Sequence, residues 1–517
     1  MKETNSRGFP GATKNAGESA NHNGKALAGV SSEFRIPISR AKIVGSPYDV
    51  DRGEDKICNG LPCQLNQDQA FLNRNMDRFK EESCLGYCDN APVYRVDGRY
   101  STRTRSGFVE IRESTEDFIY RRREGISQYL VRGGYSALEL ILGMSDYSGI
   151  IEQIEKSGLK GMGGAGFPVV KKWKSMPRDR GSDSNLLVNC HEGEPGTFKD
   201  RTILELTPHD VIEGAVVTAI INGLGNIVIA IRADFRNAIQ SLESALKEFL
   251  KRYETASKRV PILIVSVRGG YVAGEETALM EVIEGKRGEP RLRPPFPTEV
   301  GLYGKPTLVH NAETLSMIPQ IIVPRSNGIS KSFCLTGDVA EPGNYRAALG
   351  ITAEELLYDL GGSGKGDLKA FLPGGLSGSI FPLSSLGMKL DHDSVREAGG
   401  GLGTGAFIGI SKERCMVDIT GRIMKFFEHE SCGKCVPCRL GTKELSGIIH
   451  RLRTGQGTME DLESGKKTAS AMIDGSICAL GQAAGKTFSD VLERFGEEIV
   501  SHTHSKCPEG VCRMVPS

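Results

Sequence analysis

The stretch SCGKCVPCRLGT at 431–442 sets Cys432, Cys435 and Cys438 at C-x2-C-x2-C, three thiols within seven residues. A cubane iron–sulfur cluster needs one external soft ligand for each iron, and a tight loop can supply three of them. A distant residue must close the last corner. Cys478 in SICALG is the expected one, because its Gly and Ala neighbours let the backbone come close. Zinc is the competing reading, although structural zinc sites more often pair two C-x2-4-C knuckles than crowd three cysteines into one loop. Inert buried thiols are the third. A cluster passes single electrons, so this end of the chain reads as an electron wire or terminal.

A second group of residues suits a nucleotide. GLKGMGGAGFP (158–168) fits G-x-G-x-x-G through Gly161, Gly163 and Gly166, with Gly164 between them. A helical stretch, IIEQIEKSG, precedes it where the dinucleotide fingerprint requires a strand. The looser reading is a loop stripped of side chains whose N–H groups can bind phosphate, followed by Lys171 and Lys172; a ligand-free tight turn is the alternative. NCHEGEPGTFKDR (189–201) follows the strand-like LLVNC, and strand ends in open α/β sheets are where ligands sit. Glu192 and Glu194 there can accept hydrogen bonds from ribose hydroxyls or a carboxamide, or can pair with Lys199 and Arg201 in a solvated loop. The stretch 268–297 repeats strand, glycine turn, adjacent carboxylates (Glu275, Glu276) and helix, and ends with Phe296 among prolines, a face for a planar ring or a core side chain. GGSGKG (361–366) and GQAAGKT (481–487) are not P-loops. The first has Gly366 after Lys365, and the second is one residue short and lies in a helical region.

These groups need several elements to hold them. At 517 residues the chain is too long for one ordinary domain. Residues 1–33 read as a disordered arm and 34–110 as a small cysteine-bearing domain. Residues 111–150 read as a connector that ends in a helical pattern. From about 150 to 320 the pattern is α/β, with LLVNC, IVIAI and ILIVSV as buried strands. The apolar run 211–231 is broken by Glu213, Asn222 and Asn226, so it predicts a helix, a turn and a strand and no membrane span. In 331–385, FCLTGDVAEPGNYRA predicts a hairpin, ITAEELLYDLGG a short helix and LKAFLPGG another strand. Beyond 412 the chain reads as helical. The net charge of +1 and the lack of a basic run argue against nucleic acid. The N-terminus shows no secretory h-region, so a reducing, cytoplasmic location is expected and the thirteen cysteines are ligands or free thiols.

GMGGAGFP, EGEPGTFKDR, GEETAL, GEPRLRPPFP, GGLGTGAF, ESCGKCVPCR and ICALG, in combination and in order, resemble the family of NADH- and FMN-binding flavoprotein subunits of the complex I 51 kDa type. That family includes the diaphorase subunit of NAD-reducing hydrogenases and the beta subunit of soluble NAD-dependent formate dehydrogenases. The resemblance runs from about 115 to 512. It implies a multidomain α/β protein: a thioredoxin-like ferredoxin-type domain (34–110), a Rossmann-like FMN/NAD domain (111–325), a β-grasp-like domain (326–411) and a helical iron–sulfur domain (412–517). Carried over by position, Gly161, Gly163, Gly164, Gly166 and Lys172 hold the flavin and its phosphate. Asn189, Tyr271, Gly274, Glu275, Asn311 and Thr314 complete that pocket. Phe167, Glu194, Glu276 and Phe296 meet the nicotinamide nucleotide, and Cys432, Cys435, Cys438 and Cys478 ligate a [4Fe–4S] cluster. The chain departs from the family at four places. His191 stands for an Asp, His310 for an Asn, Met162 for an Arg, and Ser175 for an aromatic whose stacking is worth about 0.5–1.5 kcal/mol.

The pairs CNGLPC (58–63) and CLGYCDNAPVY (84–94) resemble a thioredoxin-like [2Fe–2S] ferredoxin, with Cys58, Cys63, Cys84 and Cys88 as ligands. The phrase CDNAPV ahead of a flavin module is most similar to the formate dehydrogenase beta subunit. Cys507 and Cys512 form another C-x4-C that reads as two free thiols, and Cys190, Cys334 and Cys415 read as core. The resemblance thus implies electron transfer between NAD(H), FMN and [4Fe–4S], with the protein placing cofactors and no catalytic acid or base. The implied partners are a small [2Fe–2S] subunit and a molybdenum or tungsten formate dehydrogenase subunit or a hydrogenase subunit. A relay subunit that has lost flavin or NAD use is the rival.

Overall fold

The computed structural model describes residues 123–514 except 178–182, 326–327 and 365, and before them 56–58, 60–67, 79–82, 88, 91–96, 99–104 and 107–110. The arm expected at 1–33 and the candidate ligand Cys84 lie outside the described residues.

Four parallel strands form the central sheet: Asn185–Cys190, Asn226–Arg232, Ile262–Val267 and Thr307–Asn311. Their spatial order is third, second, first, fourth. Alternate residues face opposite sides. Leu186, Val188, Ile227, Ile229 and Ile231 enter one core, while Leu187, Val228, Ala230, Val265 and Val267 enter the other. Burial on both faces is why these strands read as continuous apolar runs. The run at 211–231 divides as expected into the helix Pro208–Ile221, a turn, and the strand from Asn226. Glu213 is buried in that helix. Its carboxylate accepts hydrogen bonds from the backbone N–H groups of Tyr135 (3.0 Å), Ala137 (3.1 Å) and Leu138 (3.2 Å), at the start of the helix Ser136–Leu142. Arg325 pairs with it at 3.2 Å. A charge that breaks the apolar pattern is therefore a helix-terminus anchor, since orphan N–H groups need acceptors.

The next unit is a five-stranded mixed sheet. Ser330–Gly337 and Gly343–Ala348 form the expected hairpin, and Ala406–Ser411 lies parallel to Ser330–Gly337 at the sheet centre. Leu368–Leu372 and Phe381–Pro382 complete the far edge. ITAEELLYDLGG forms the expected short helix, Glu355–Leu360, as a widened π-helical turn; the Gly361 N–H bonds the Leu356 carbonyl five residues back, at 3.0 Å.

The helices Met416–Glu430, Val436–Arg453, Met459–Gly475, Ala479–Arg494 and Gly496–Thr503 make the C-terminal bundle. Short strands between Lys56 and Glu110 form a further five-stranded sheet, with one parallel pair and the rest antiparallel. The helix Leu61–Leu65 in that region places Leu61 and Leu65 in the core of the C-terminal bundle. Arg414 fixes it there by donating to the Leu65 carbonyl at 2.7 Å. Among the described residues no helix is long and apolar enough to cross a membrane.

Candidate functional site

The strand order reverses between Asn185–Cys190 and Thr307–Asn311, and such a switch point opens a crevice at the carboxyl ends of the strands. Asn189 and Asn311 are paired in register at those ends. Asn189 donates to the Gly274 carbonyl (2.8 Å) and accepts from the His191 N–H (3.0 Å). Asn311 caps the helix Ala312–Ile322 by accepting from the Glu313 N–H, and donates to Asp200 at 2.6 Å. Beneath them lie four buried charges. Lys199 meets Asp200 (2.6 Å) and Glu313 (3.2 Å), and Lys331 meets Glu313 (3.3 Å). Two ammonium groups balance two carboxylates. Burial would raise the Glu313 carboxyl, but Lys331 and Lys199 hold it below its usual range.

The glycine loop crosses this floor between the helices Ser148–Lys156 and Val169–Lys174. The Gly161 N–H closes the loop on the Phe167 carbonyl at 2.9 Å, and the Met162 N–H donates to the Thr314 hydroxyl at 2.8 Å. Gly163 lies over Asn311, where a Cβ would come within 3.1 Å of the Asn311 Cβ. Gly164 has φ +131° and open space where its Cβ would be. Gly166, at φ +61°, fits against His392 of the mixed-sheet unit. The loop is thus sandwiched between two units with one face left bare.

The acidic residues of the two strand-end loops hold structure together. Glu192 accepts from the backbone N–H groups of Asp200 (2.9 Å) and Arg201 (3.2 Å), capping the helix Lys199–Leu206. Burial, with the Asp200 charge, raises its carboxyl above the usual range. Glu194 is also buried, and accepts from the Tyr271 hydroxyl (2.8 Å), the Ser377 N–H (2.9 Å) and the Ser377 hydroxyl (2.9 Å). Gly375 passes so close that a Cβ there would meet Glu194 at 2.7 Å. Glu275 caps the helix Glu276–Ile283 and pairs with Arg293. Glu276 pairs with Lys172 at 2.8 Å, and Lys172 also donates to the Val309 carbonyl at 3.1 Å. Burial acts to raise the Glu276 carboxyl, but Lys172 and then Arg293 hold it low. Two aromatic side chains are exposed at the rim: Phe167 is 45% exposed, with the Lys171 ammonium 5.7 Å from its ring centroid, and Phe296 is 52% exposed.

The four departures take separate places. His191 is buried, and its Nε2 lies 3.2 Å from the Gly269 carbonyl. Burial, then Arg232, lowers its pKa to about 4, so the ring is neutral and Nε2 carries the proton. Its Nδ1 is an acceptor with no hydrogen-bond partner among the described residues. His310 points away from Asn311, as alternation requires, and accepts from the Trp173 indole N–H at 2.9 Å. Burial, then Lys172, lowers it to about 3. Ser175 closes the helix Val169–Lys174 by donating to the Lys172 carbonyl at 2.7 Å. Met162 is buried in the core beside the sheet.

Cys432 and Cys435 sit in the loop after the helix Met416–Glu430. Cys435 begins the helix Val436–Arg453, which carries Cys438 in its first turn, and Cys478 begins the helix Ala479–Arg494. Helix starts thus present three of the four sulfurs. Burial pushes Cys438 up to about 12, with Cys435, Cys478 and Cys432 adding to it, so the four thiols are neighbours. No three of them fall within 4.8 Å of one another. A single tetrahedral zinc needs its sulfurs about 3.8 Å apart, so the wider spacing suits a multi-iron cluster. In the N-terminal region Cys58, Cys63 and Cys88 are buried together with Phe198 and Cys334, and the Gly196 N–H points at the Cys88 sulfur (3.3 Å). That places them against the EGEPGTF loop.

Sequence reasoning overlooked several participants: the Asp200–Glu313–Lys331 part of the charge quartet, Ser377 beneath Glu194, and Glu430, whose carboxylate accepts from the Tyr271 N–H at 2.7 Å. PGGLSGS (373–379) carried a signal in its glycines; the others are single charges inside apolar patterns. The bare glycine face, the orphaned His191 Nδ1 and two exposed aromatic rings fit a planar, hydrogen-bonding cofactor such as FMN. The four late sulfurs, not packed as closely as one zinc requires, suit a cubane.

Known proteins share this arrangement. Residues 154–320 match the Nuo51 FMN-binding domain, and residues 418–502 match the NADH-ubiquinone oxidoreductase-F iron–sulfur binding region. The NADH-quinone oxidoreductase F-subunit (F 2) of Rhizobium meliloti (strain 1021) is 39% identical over 405 residues, spanning 74% of this chain and 96% of that protein. The NADH-quinone oxidoreductase F-subunit of Mycobacterium bovis (strain ATCC BAA-935 / AF2122/97) is 38% identical over 397 residues, spanning 72% and 89%. A chain of the crystal structure of NAD+-reducing [NiFe]-hydrogenase in the H2-reduced state superposes with a TM-score of 0.74 at 27% identity, covering 94% of this chain and 92% of that one. With both family regions in order and relatives matched over most of their length, the chain belongs to the family of NADH-quinone oxidoreductase F-subunits, the 51 kDa-type NADH-binding subunits with an FMN domain and a [4Fe–4S] region.

Proposed function

We propose that this chain is the NAD-reducing, diaphorase-type subunit of a multi-subunit redox enzyme, and that its partner subunit oxidises formate at molybdenum or tungsten. The observation that carries the diaphorase reading is the N-terminal unit. The Rhizobium meliloti relative spans 74% of the chain, whereas the hydrogenase chain spans 94%. Cys58, Cys63 and Cys88 of the N-terminal region lie against the loop that holds Glu194. We assign these three, with Cys84, to a [2Fe–2S] cluster that carries electrons between the partner and the flavin.

An FMN held by the residues at the switch point would supply the exchange between the electron pair of a hydride and the single electrons that an iron–sulfur cluster carries. The chain's residues prepare that place. The glycine loop leaves a bare face at Gly164, Asn189 and Asn311 hold the floor, and the neutral His191 lies beside them with Nδ1 unpartnered among the described residues. Phe167 and Phe296 offer faces on which a nicotinamide nucleotide can stack. Lys172 and Glu276 neutralise each other, so the rim presents hydrogen-bonding groups at little cost in net charge.

The formate assignment rests on CDNAPV, and the solved neighbour favours a second reading with a nickel–iron hydrogenase partner. Purification of the native complex separates them. Molybdenum or tungsten together with formate-dependent NAD+ reduction is expected; nickel with hydrogen-dependent reduction replaces the first reading by the second. Flavin absorbance that does not bleach when NADH is added would refute both.

A further inference from the structure

A second group of soft ligands lies at the opposite end of the helix Met416–Glu430 from Cys432. Cys415 caps that helix at its start. His502 comes from the last turns of the helix Gly496–Thr503, and Cys507 and Cys512 from the C-x4-C segment that follows. One donor atom from each of the four lies within 4.8 Å of every other. The Cys415 sulfur is 3.3 Å from His502 Nε2 and 3.5 Å from the Cys512 sulfur. Donors bound at about 2.0–2.3 Å around a tetrahedral ion lie roughly 3.3–3.8 Å apart, so these separations are those of a single ion. The set differs in this respect from the wider-spaced Cys432 group.

We propose that Cys415, His502, Cys507 and Cys512 bind one zinc ion in a closed, structural Cys3His site. Three further observations support it. The His502 Nδ1 donates to the Glu498 carbonyl at 2.8 Å, which fixes the tautomer that leaves the Nε2 lone pair facing the sulfurs. The C-x4-C segment folds as a knuckle: the Gly510 N–H bonds the Cys507 carbonyl (3.1 Å) and the Cys512 N–H points at the Cys507 sulfur (3.4 Å), the kind of amide-to-sulfur contact that supports a metal thiolate. Lys369, paired with Glu498 (3.0 Å) and Glu509 (2.7 Å), occupies the nearby carboxylates, leaving the soft donors as the ligand set. A disulfide requires about 2.05 Å between sulfurs, far below the observed 3.5 Å between Cys415 and Cys512. Four protein ligands leave no open position, so the ion joins the chain's last segment to the helix that leads to the cubane loop and takes no part in electron transfer.

The test is metal analysis of the intact, flavin-loaded protein prepared without chelator. About one zinc per flavin is expected, and the double variant C507S/C512S should lose that zinc while keeping its iron, sulfide and flavin. Zinc absent from the native protein, or retained undiminished in the variant, overturns the proposal, as does an iron atom in its place. Should the variant fail to fold, zinc-edge X-ray absorption on the native protein decides. Three sulfurs at about 2.3 Å and one nitrogen at about 2.0–2.1 Å support the site; a shell of oxygen and nitrogen, or a Cys507–Cys512 disulfide found by mass spectrometry, refutes it.

Discussion

Trp173 is the chain's one tryptophan, and its indole N–H rests on His310. This makes the pair its own reporter. The His310 ring has a folded pKa near 3 because burial, and then Lys172, disfavours imidazolium. Unfolded, it titrates near 6.5. The unfolded chain therefore binds one more proton between those values. The stability tied to neutral His310 is complete above about pH 6.5 and is lost as pH falls toward about 3, at roughly 1.4 kcal/mol per pH unit. His310→Asn should flatten the stability curve by that amount between about pH 6 and about pH 4 relative to the parent. Urea unfolding followed by Trp173 fluorescence measures it, and parallel curves would contradict it. Glu194 invites a second substitution. Glu194→Ala strands the Tyr271 hydroxyl and the Ser377 N–H, and each stranded group costs about 1–3 kcal/mol. We expect a lower urea midpoint together with a raised KM for NADH. The motif EGEP marked Glu194 as a candidate residue from sequence, but which atoms it would bind depended on Ser377, 183 positions away, and no local pattern encodes that.

The helix Pro208–Ile221 is buried along its whole length and runs against Ala312–Ile322 at backbone distance. A Cβ on Gly214 would fall 2.0 Å from the Leu315 carbonyl oxygen. Alanine in a free helix would gain about 1 kcal/mol over glycine. Here the overlap is with backbone, which cannot rotate away, and overpacking of this kind costs about 1–3 kcal/mol or more. Gly214→Ala should therefore lower the thermal midpoint, and a raised midpoint would show that the two helices are not so closely packed. At this scale much was legible. The apolar runs located the three strands LLVNC, IVIAI and ILIVSV, and Glu213, Asn222 and Asn226 rightly ruled out a membrane span. The short helix at Glu355–Leu360 was legible, but its π form was not, because its apolar spacing also suits an α-helix. Nor was Cys415's company: a single cysteine in an apolar stretch looks like core until His502 and the C-x4-C segment are folded against it.

At the scale of the whole molecule, Tyr271 joins the flavin floor to the cluster region. Its hydroxyl is held by Glu194, its N–H by Glu430 at the end of the helix before Cys432, and its ring lies edge-on to Phe426 with centroids 5.3 Å apart. Glu430→Ala removes the acceptor of a charge-assisted bond worth about 1.5–3 kcal/mol, and should speed flavin loss during gel filtration while leaving the iron content intact; unchanged flavin retention would mean that the loop is held by other contacts. The family motifs made both redox regions legible one at a time, but a tyrosine serving both was visible only once the chain had folded. A residue anchored at three points cannot swing, so the span between the flavin floor and the cysteine loop is set by fixed packing and hydrogen bonds rather than by the opening and closing of lobes. Thickening the solvent with sucrose should then leave the internal electron hop at its original speed.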